Sequence, residues 1–230
     1  PWLYPDKLLD VTDVAEYLGA KYGGWEVACI KYGMKDGRWI AIPMGAPGQQ
    51  IVYRKSWADE AGYDKFPETT DEFIKCCKKL NSMGHPVGFA LGHSVGDGNN
   101  FAYTWLWSYG ASTVDADGKP AINRPETRNA LDGMKELYSA MIPGCASWQD
   151  PHNNKAFLAG QISVTNNGII IYVAAKNNTE MKELSKHIYH AQLPIGPLGI
   201  PTQLNFYKHP FIFKHTALPN DYKHFLMIKL

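Results

Sequence analysis

Gly37-Arg38-Trp39-Ile40-Ala41-Ile42-Pro43-Met44-Gly45-Ala46-Pro47-Gly48-Gln49-Gln50-Ile51-Val52-Tyr53-Arg54-Lys55 holds an extended segment, a Gly/Pro break and a second extended segment. Trp57-Ala58-Asp59-Glu60-Ala61-Gly62 follows and reads as a short helix. Aromatic and β-branched residues suit strands, and Gly with Pro marks the break between them. The side chains are also rich in aromatic rings and amides, which matters for function below.

Outward from this stretch, helices and strands alternate. On the amino-terminal side, Thr12 or Asp13 can cap a helix through Leu18, ended by Gly19. On the other side, Thr69-x-x-Glu72 is a capping box ahead of the apolar stripe Phe73, Cys76, Cys77 and Leu80, and Gly84-His85-Pro86 stops that helix. Pro125 suits the first turn of a helix whose apolar face is Ala130, Leu131, Met134, Leu137, Tyr138 and Met141. Asp150 can cap a helix ending at Gly160, Thr179 opens one through Ile188, and a last helix begins near Pro219. Residues 39–42, 51–54, 87–91, 162–165, 191–193 and 211–213 read as short buried strands. This alternation predicts an α/β architecture.

Composition bounds the function. The chain has 230 residues, 45% of them hydrophobic, enough to bury a core in one large or two small domains. Lys and Arg (23) balance Asp and Glu (22), leaving a net charge of +1 with the signs interspersed, so neither nucleic acid nor an anionic membrane is an expected partner. The longest uncharged run, 156–175, carries Gln161, Ser163, Thr165, Asn166 and Asn167 and is too polar for hydrocarbon. Among four cysteines, Cys76 and Cys77 fall on a helix's buried stripe, while Cys29 and Cys145 pair only if their Cα atoms come within about 7 Å. No Cys-x-x-Cys, His-Glu-x-x-His or calcium-loop spacing occurs, so neither a metal nor a cofactor is expected. Phosphate-loop and dinucleotide fingerprints are missing as well.

The opening stretch, the helix at Pro67-Glu68-Thr69-Thr70-Asp71-Glu72-Phe73, the words Asp117-Gly118-Lys119 and Asn123-Arg124-Pro125-Glu126, then Ser147-Trp148-Gln149-Asp150 and Ala156-Phe157-Leu158-Ala159-Gly160, follow one another in order. In that order the chain resembles the family 1 extracellular solute-binding proteins of bacterial ABC importers. The resemblance implies a two-lobed, type II periplasmic-binding-protein-like α/β fold, incomplete at both ends: 1–49 and 205–230 as a partial amino-terminal lobe, 50–204 as the carboxy-terminal lobe. It further implies a monomer, periplasmic or cell-surface, that hands a small solute to a membrane permease.

Sugars are held by flat aromatic faces on their C–H side and by amides, carboxylates or indole N–H groups on their hydroxyls. Seven Trp and 13 Tyr raise the aromatic share to 13%, and several aromatic or amide residues sit beside Gly or Asn. The candidate ligand-binding residues are Trp25, Gly45, Gln49, Gln50, His93, Asp97, Asn99, Asn100, Trp148, Asp150, Asn166 and Asn167. Trp2, Trp39, Trp105 and Trp107 are expected in a core, whereas Trp25 and Trp148 leave packing and ligand stacking both open. The loop 45–50 lies at the expected crossing between lobes, where it is either an ordinary turn or a hinge presenting amides to ligand. After Asn166-Asn167-Gly168, the resemblance implies a ligand-stacking aromatic, and this chain has Ile169 and Ile170 instead.

A competing motif is Gly92-His93-Ser94-Val95-Gly96, a literal Gly-x-Ser-x-Gly after an expected strand. A hydrolase would use Ser94 with Asp132 or Asp150 and then His187, His209 or His215. An elbow needs a helix at once, and Asp97-Gly98-Asn99-Asn100 reads as turn formers, so a strand-end loop is expected. The reading is therefore a non-enzymatic binding protein for a sugar or polyol, with an esterase and a non-transport carbohydrate-recognition module as alternatives.

Overall fold

The computed structural model describes residues 2–45, 48–93 and 95–229. In chain order the elements are α1 (Thr12–Tyr22), α2 (Val27–Gly33), β1 (Met34–Lys35), β2 (Arg38–Trp39), β3 (Gln50–Arg54), α3 (Lys55–Glu60), α4 (Thr70–Ser82), α5 (Asp97–Ser108), α6 (Pro125–Tyr138), α7 (Asp150–Leu158), β4 (Val164–Asn167), α8 (Ile170–Asn177), α9 (Lys182–Ser185), β5 (Ile188–Ala191) and α10 (Pro219–Lys229). They divide into two compact units, Pro1–Pro47 with Asn205–Leu230, and Gly48–Leu204.

In the first unit, α1 buries Val14, Ala15 and Leu18, with Val11 just ahead of it on the same face, against Trp39, Ile42, Ile212 and Leu226. The helix starts where Thr12 N donates to Asp10 Oδ1 (2.9 Å) and ends at Gly23, whose φ of 88° is open to glycine without strain. It thus runs one turn beyond the expected stop at Gly19, and its side-chain acceptor is Asp10. β1 and β2 form a hairpin across Asp36-Gly37, both at positive φ, as a tight two-residue turn requires. Of the strand expected at 39–42 only Trp39 belongs to β2, and that at 211–213 reduces to a single bridge between Phe213 and Leu8.

The second unit is built on β3, which lies between β4 and β5 and is antiparallel to both. Side chains alternate across a strand, so β3 serves two cores. Ile51 and Tyr53 face Phe73, Phe89 and Phe101, while Val52 faces Phe157, Ile162, Ile171 and Ile188. Burial on both sides explains why 51–54 is continuously apolar until Arg54. The Arg54 guanidinium lies 4.6 Å over the Trp57 ring and donates to Phe157 O, and burial lowers its pKa. On the first side Phe89 stacks on Phe101 at 4.3 Å and meets Phe73 edge-on. Each fully buried Phe contributes about 1.5–3 kcal/mol of transfer free energy.

Thr69 Oγ1 accepts from Glu72 N (3.4 Å), and α4 buries Phe73, Cys76, Cys77 and Leu80 as its spacing requires. All four cysteines are free thiols, and burial pushes Cys76 up to about 12. α6 begins at Pro125, as expected. Elsewhere the elements shift. β4 lies two residues later than 162–165, and β5 spans Ile188–Ala191 in place of 191–193. The helix expected from Thr179 through Ile188 breaks into a short 3-10 turn, α9 and the start of β5. The strand expected at 87–91 is a single bridge from Val87 to Met141. α2, α5 and α8 are helices that local patterning does not announce.

Candidate functional site

α5 begins at Asp97, inside the run Gly96-Asp97-Gly98-Asn99-Asn100 that reads as a loop. Tertiary contacts override the propensity. Asp97 N donates to Asp150 Oδ1 (2.9 Å), which caps the helix from across the fold. Gly98 lies so close to Ala90 O that a Cβ there would stand 2.8 Å from it, and the Asn100 amide is absorbed by Leu204 O (2.7 Å).

This start places the Asp97 carboxylate at the centre of a buried amide cluster. Oδ1 accepts from Gln49 Nε2, and Oδ2 accepts from Asn153 Nδ2 (3.1 Å) and Asn167 Nδ2 (2.9 Å). Asn166, 0% exposed, donates to Gln49 Oε1. Asn153 also reaches Thr165 Oγ1 (3.2 Å) and Asn166 O (3.1 Å), and Asn167 also donates to Asn154. The cluster ties β3's leading edge, α5, α7 and the end of β4 into one corner. Burial, and secondly the negative charge of Asp150, push the Asp97 carboxyl up, while the Asn153 and Gln49 hydrogen bonds pull it down. Among the described residues no Lys or Arg ion-pairs with it.

The structure therefore brings Gln49, Asp97, Asp150, Asn166 and Asn167 together. The Nδ2 groups of Asn166 and Asn167 donate to neighbours within the cluster, while Asn166 Oδ1 is buried without a hydrogen-bond partner among the described residues. The exposed groups beside them are Gln50, paired in register with Asn167, Asn99 in the first turn of α5, and Ile169 and Ile170 (63% and 59% exposed) after Gly168. His93 is exposed too. Beside Gln49 and Gln50 opens a cavity of about 370 Å³ lined also by Gln192, Leu193, Pro201, Thr202 and Gln203, with no charged side chain. Asn153, Asn154 and Thr165 join the cluster without being among the candidates named above. Asn153-Asn154 repeats the Asn-Asn signal of 99–100 and 166–167, but its place inside a helix hid it.

The other candidates make none of the cluster's hydrogen bonds. Trp25 packs in the first unit, its Nε1 donating to Ala15 O (3.0 Å) and its ring 5.6 Å from Trp39. Gly45 bridges Lys208 there. Trp148 is half-buried, packed so tightly on Gly88 and Ile162 that a Cβ at Gly88 would come within 2.8 Å of its ring. Asn100 is fully buried and faces Leu204. Trp2, expected in a core, is 47% exposed. Ala46 and Pro47 of the crossing loop, and Ser94, lie outside the described residues. The expectation that no helix follows Ser94 is corrected by α5. The strand that would lead into the elbow is not formed among the described residues, where 87–91 makes only the single bridge from Val87 to Met141.

Residues 2–215 match the family model described as bacterial extracellular solute-binding protein. The chain belongs to that family. A Brucella abortus (strain 2308) protein named as a binding protein is 27% identical over 173 residues, 71% of this chain and 40% of the relative. Among solved structures, maltose-bound MalE3 of T. maritima superposes with a TM-score of 0.81 at 22% identity, over 97% of this chain and 57% of that one. An Agrobacterium vitis S4 ABC transporter solute-binding protein with bound D-mannitol gives 0.78 at 19% identity, over 98% and 55%. This solute-binding protein thus has the type II periplasmic-binding-protein fold, in part, and spans 40 to 57% of the length of these relatives. No described helix is long and apolar enough to cross a membrane.

Proposed function

We propose that the chain binds a neutral polyhydroxylated solute, a sugar or polyol, between two lobes and passes it to the permease of an ABC importer. The observation that carries this reading is the corner around Asp97. The Asp97 carboxylate is satisfied internally, with Asp150 beside it, and the exposed groups around it, Gln50 and Asn99, are neutral amides that both donate and accept. Such groups suit hydroxyls, and among the described residues no Lys or Arg ion-pairs with Asp97. Exposed Ile169 and Ile170 supply an apolar face in place of an aromatic one.

The chain's division at 47/48 and 204/205 supports the assignment of the two units to two lobes, with closure about the crossings as the working motion. Maltose and D-mannitol in the structural neighbours fit the same solute class. A micromolar dissociation constant corresponds to roughly −8 kcal/mol, within reach of a few directed hydrogen bonds in a preorganised site. The protein acts as a monomer in the periplasm or at the cell surface, without chemistry on its solute. Thermal melting across a library of sugars, polyols and amino acids tests this, with an aryl-ester assay alongside. Stabilisation by a neutral sugar or polyol is the expected result. Ester turnover that Ser94→Ala abolishes would overturn it.

A further inference from the structure

α5 carries Asp97, Asn100, Thr104 and Ser108 at spacings of three and four, and all four are buried. A buried polar stripe needs partners. Ser108 Oγ donates to Trp105 O within the helix and Asp97 is held in part by Asn153 and Asn167, but further partners come from the two segments by which the chain enters and leaves this unit. At the entry, Gln49 is bound by Asp97. At the exit, Asn100 Nδ2 donates to Leu204 O (2.7 Å), Leu204 N donates to Thr104 Oγ1 (3.3 Å), and Thr202 Oγ1 donates to Thr104 O (3.0 Å). One turn further on, Leu198 N donates to Ser108 O (3.1 Å). Gly196 approaches that carbonyl so closely that a Cβ would lie 2.3 Å from it. The entry and exit also touch directly, through Gln203 Nε2 and Gln49 O (2.9 Å).

We propose that α5 is a strut joining the Asp97 corner to both crossings, with Asn100 and Thr104 as positioning residues that never touch solute. Loosening one crossing then loosens the other, and solute at the corner is felt at residues 202–204. The second consequence rests on the solute-binding reading; the first does not.

Asn100 suits a test because its Oδ1 has no partner, so Asn100→Leu removes the bond to Leu204 without stranding a polar atom of its own. Amide hydrogen exchange on the 230-residue chain is the measurement. In Asn100→Leu, exchange is expected to quicken about three- to tenfold at residues 202–204 and also at 49–51, the segment Asn100 does not hydrogen-bond. The effect at 49–51 should persist in a Gln203→Leu background, where the direct link is gone. Thr104→Val should act in the same way and Thr104→Ser should not, which keeps the test decisive if Asn100→Leu fails to fold. A change confined to 202–204, or lost in the Gln203→Leu background, would overturn the strut. In a second arm, millimolar D-mannitol or maltose should slow exchange at 202–204 in the parent chain and less so in Asn100→Leu. If neither sugar slows any amide, the solute reading fails while the variant comparison still decides the strut.

Discussion

Asp97 is one carboxylate taking hydrogen bonds from three amides, with Asp150 as its charged neighbour. Its pKa is raised above 3.8 in the folded chain, so the folded state keeps the proton to higher pH than the unfolded state does. The contribution of Asp97 to stability is then greatest below its unfolded pKa and falls as pH rises through the folded one. Asp97→Asn lacks that decline, so the stability of the variant relative to the parent should rise as pH increases from below the ordinary carboxyl value of 3.8 through the raised folded one. Urea denaturation at each pH measures it, and a difference running the other way would contradict the burial argument. Trp148 presents a different case. Its ring packs on Gly88 and Ile162, so Trp148→Ala should destabilise the protein by about 2–3 kcal/mol in the same experiment. Sequence could point to Asn166 and Asn167 because paired amides at a strand end are unusual. It could not show that their amides turn inward, since that depends on Gln49 and Asp97, far away in the chain.

At the level of elements, α4 and α5 mark the limits of local reading. The start of α4 is written in Thr69-x-x-Glu72, one cap and one turn, and losing the cap through Thr69→Ala should cost about 1 kcal/mol. α5 is set by distant groups: the Asp150 carboxylate at its first N–H and Ala90 O against Gly98. Gly98→Ala tests this sharply. Alanine favours a helix by about 1 kcal/mol over glycine, so a purely local account expects stabilisation. The close approach of Ala90 O predicts net destabilisation of about 1–3 kcal/mol instead, read as a lowered melting temperature. The strands shift for a related reason. Short mixed runs such as 188–193 do not say which of their residues pair, and β3 makes that choice through its register with β5.

At the scale of the molecule, the order of elements was legible because each word of it is local, and it led to the family that residues 2–215 match. The corner is assembled from Gln49, Asp97, Asn153 and Asn166, which only the folded sheet brings together. A solute held there at 100 times its dissociation constant stabilises the folded state by about 2.7 kcal/mol, a rise of about 5–10 °C in a chain of this size. The most direct test of the account is calorimetric titration of the parent chain and of Asp97→Asn with D-mannitol and maltose. The account predicts saturable binding of at least one of them by the parent, weakened about tenfold, or roughly 1.4 kcal/mol, when the corner loses its central carboxylate. Absence of saturable binding by either, or equal affinity in a folded Asp97→Asn chain, would contradict it.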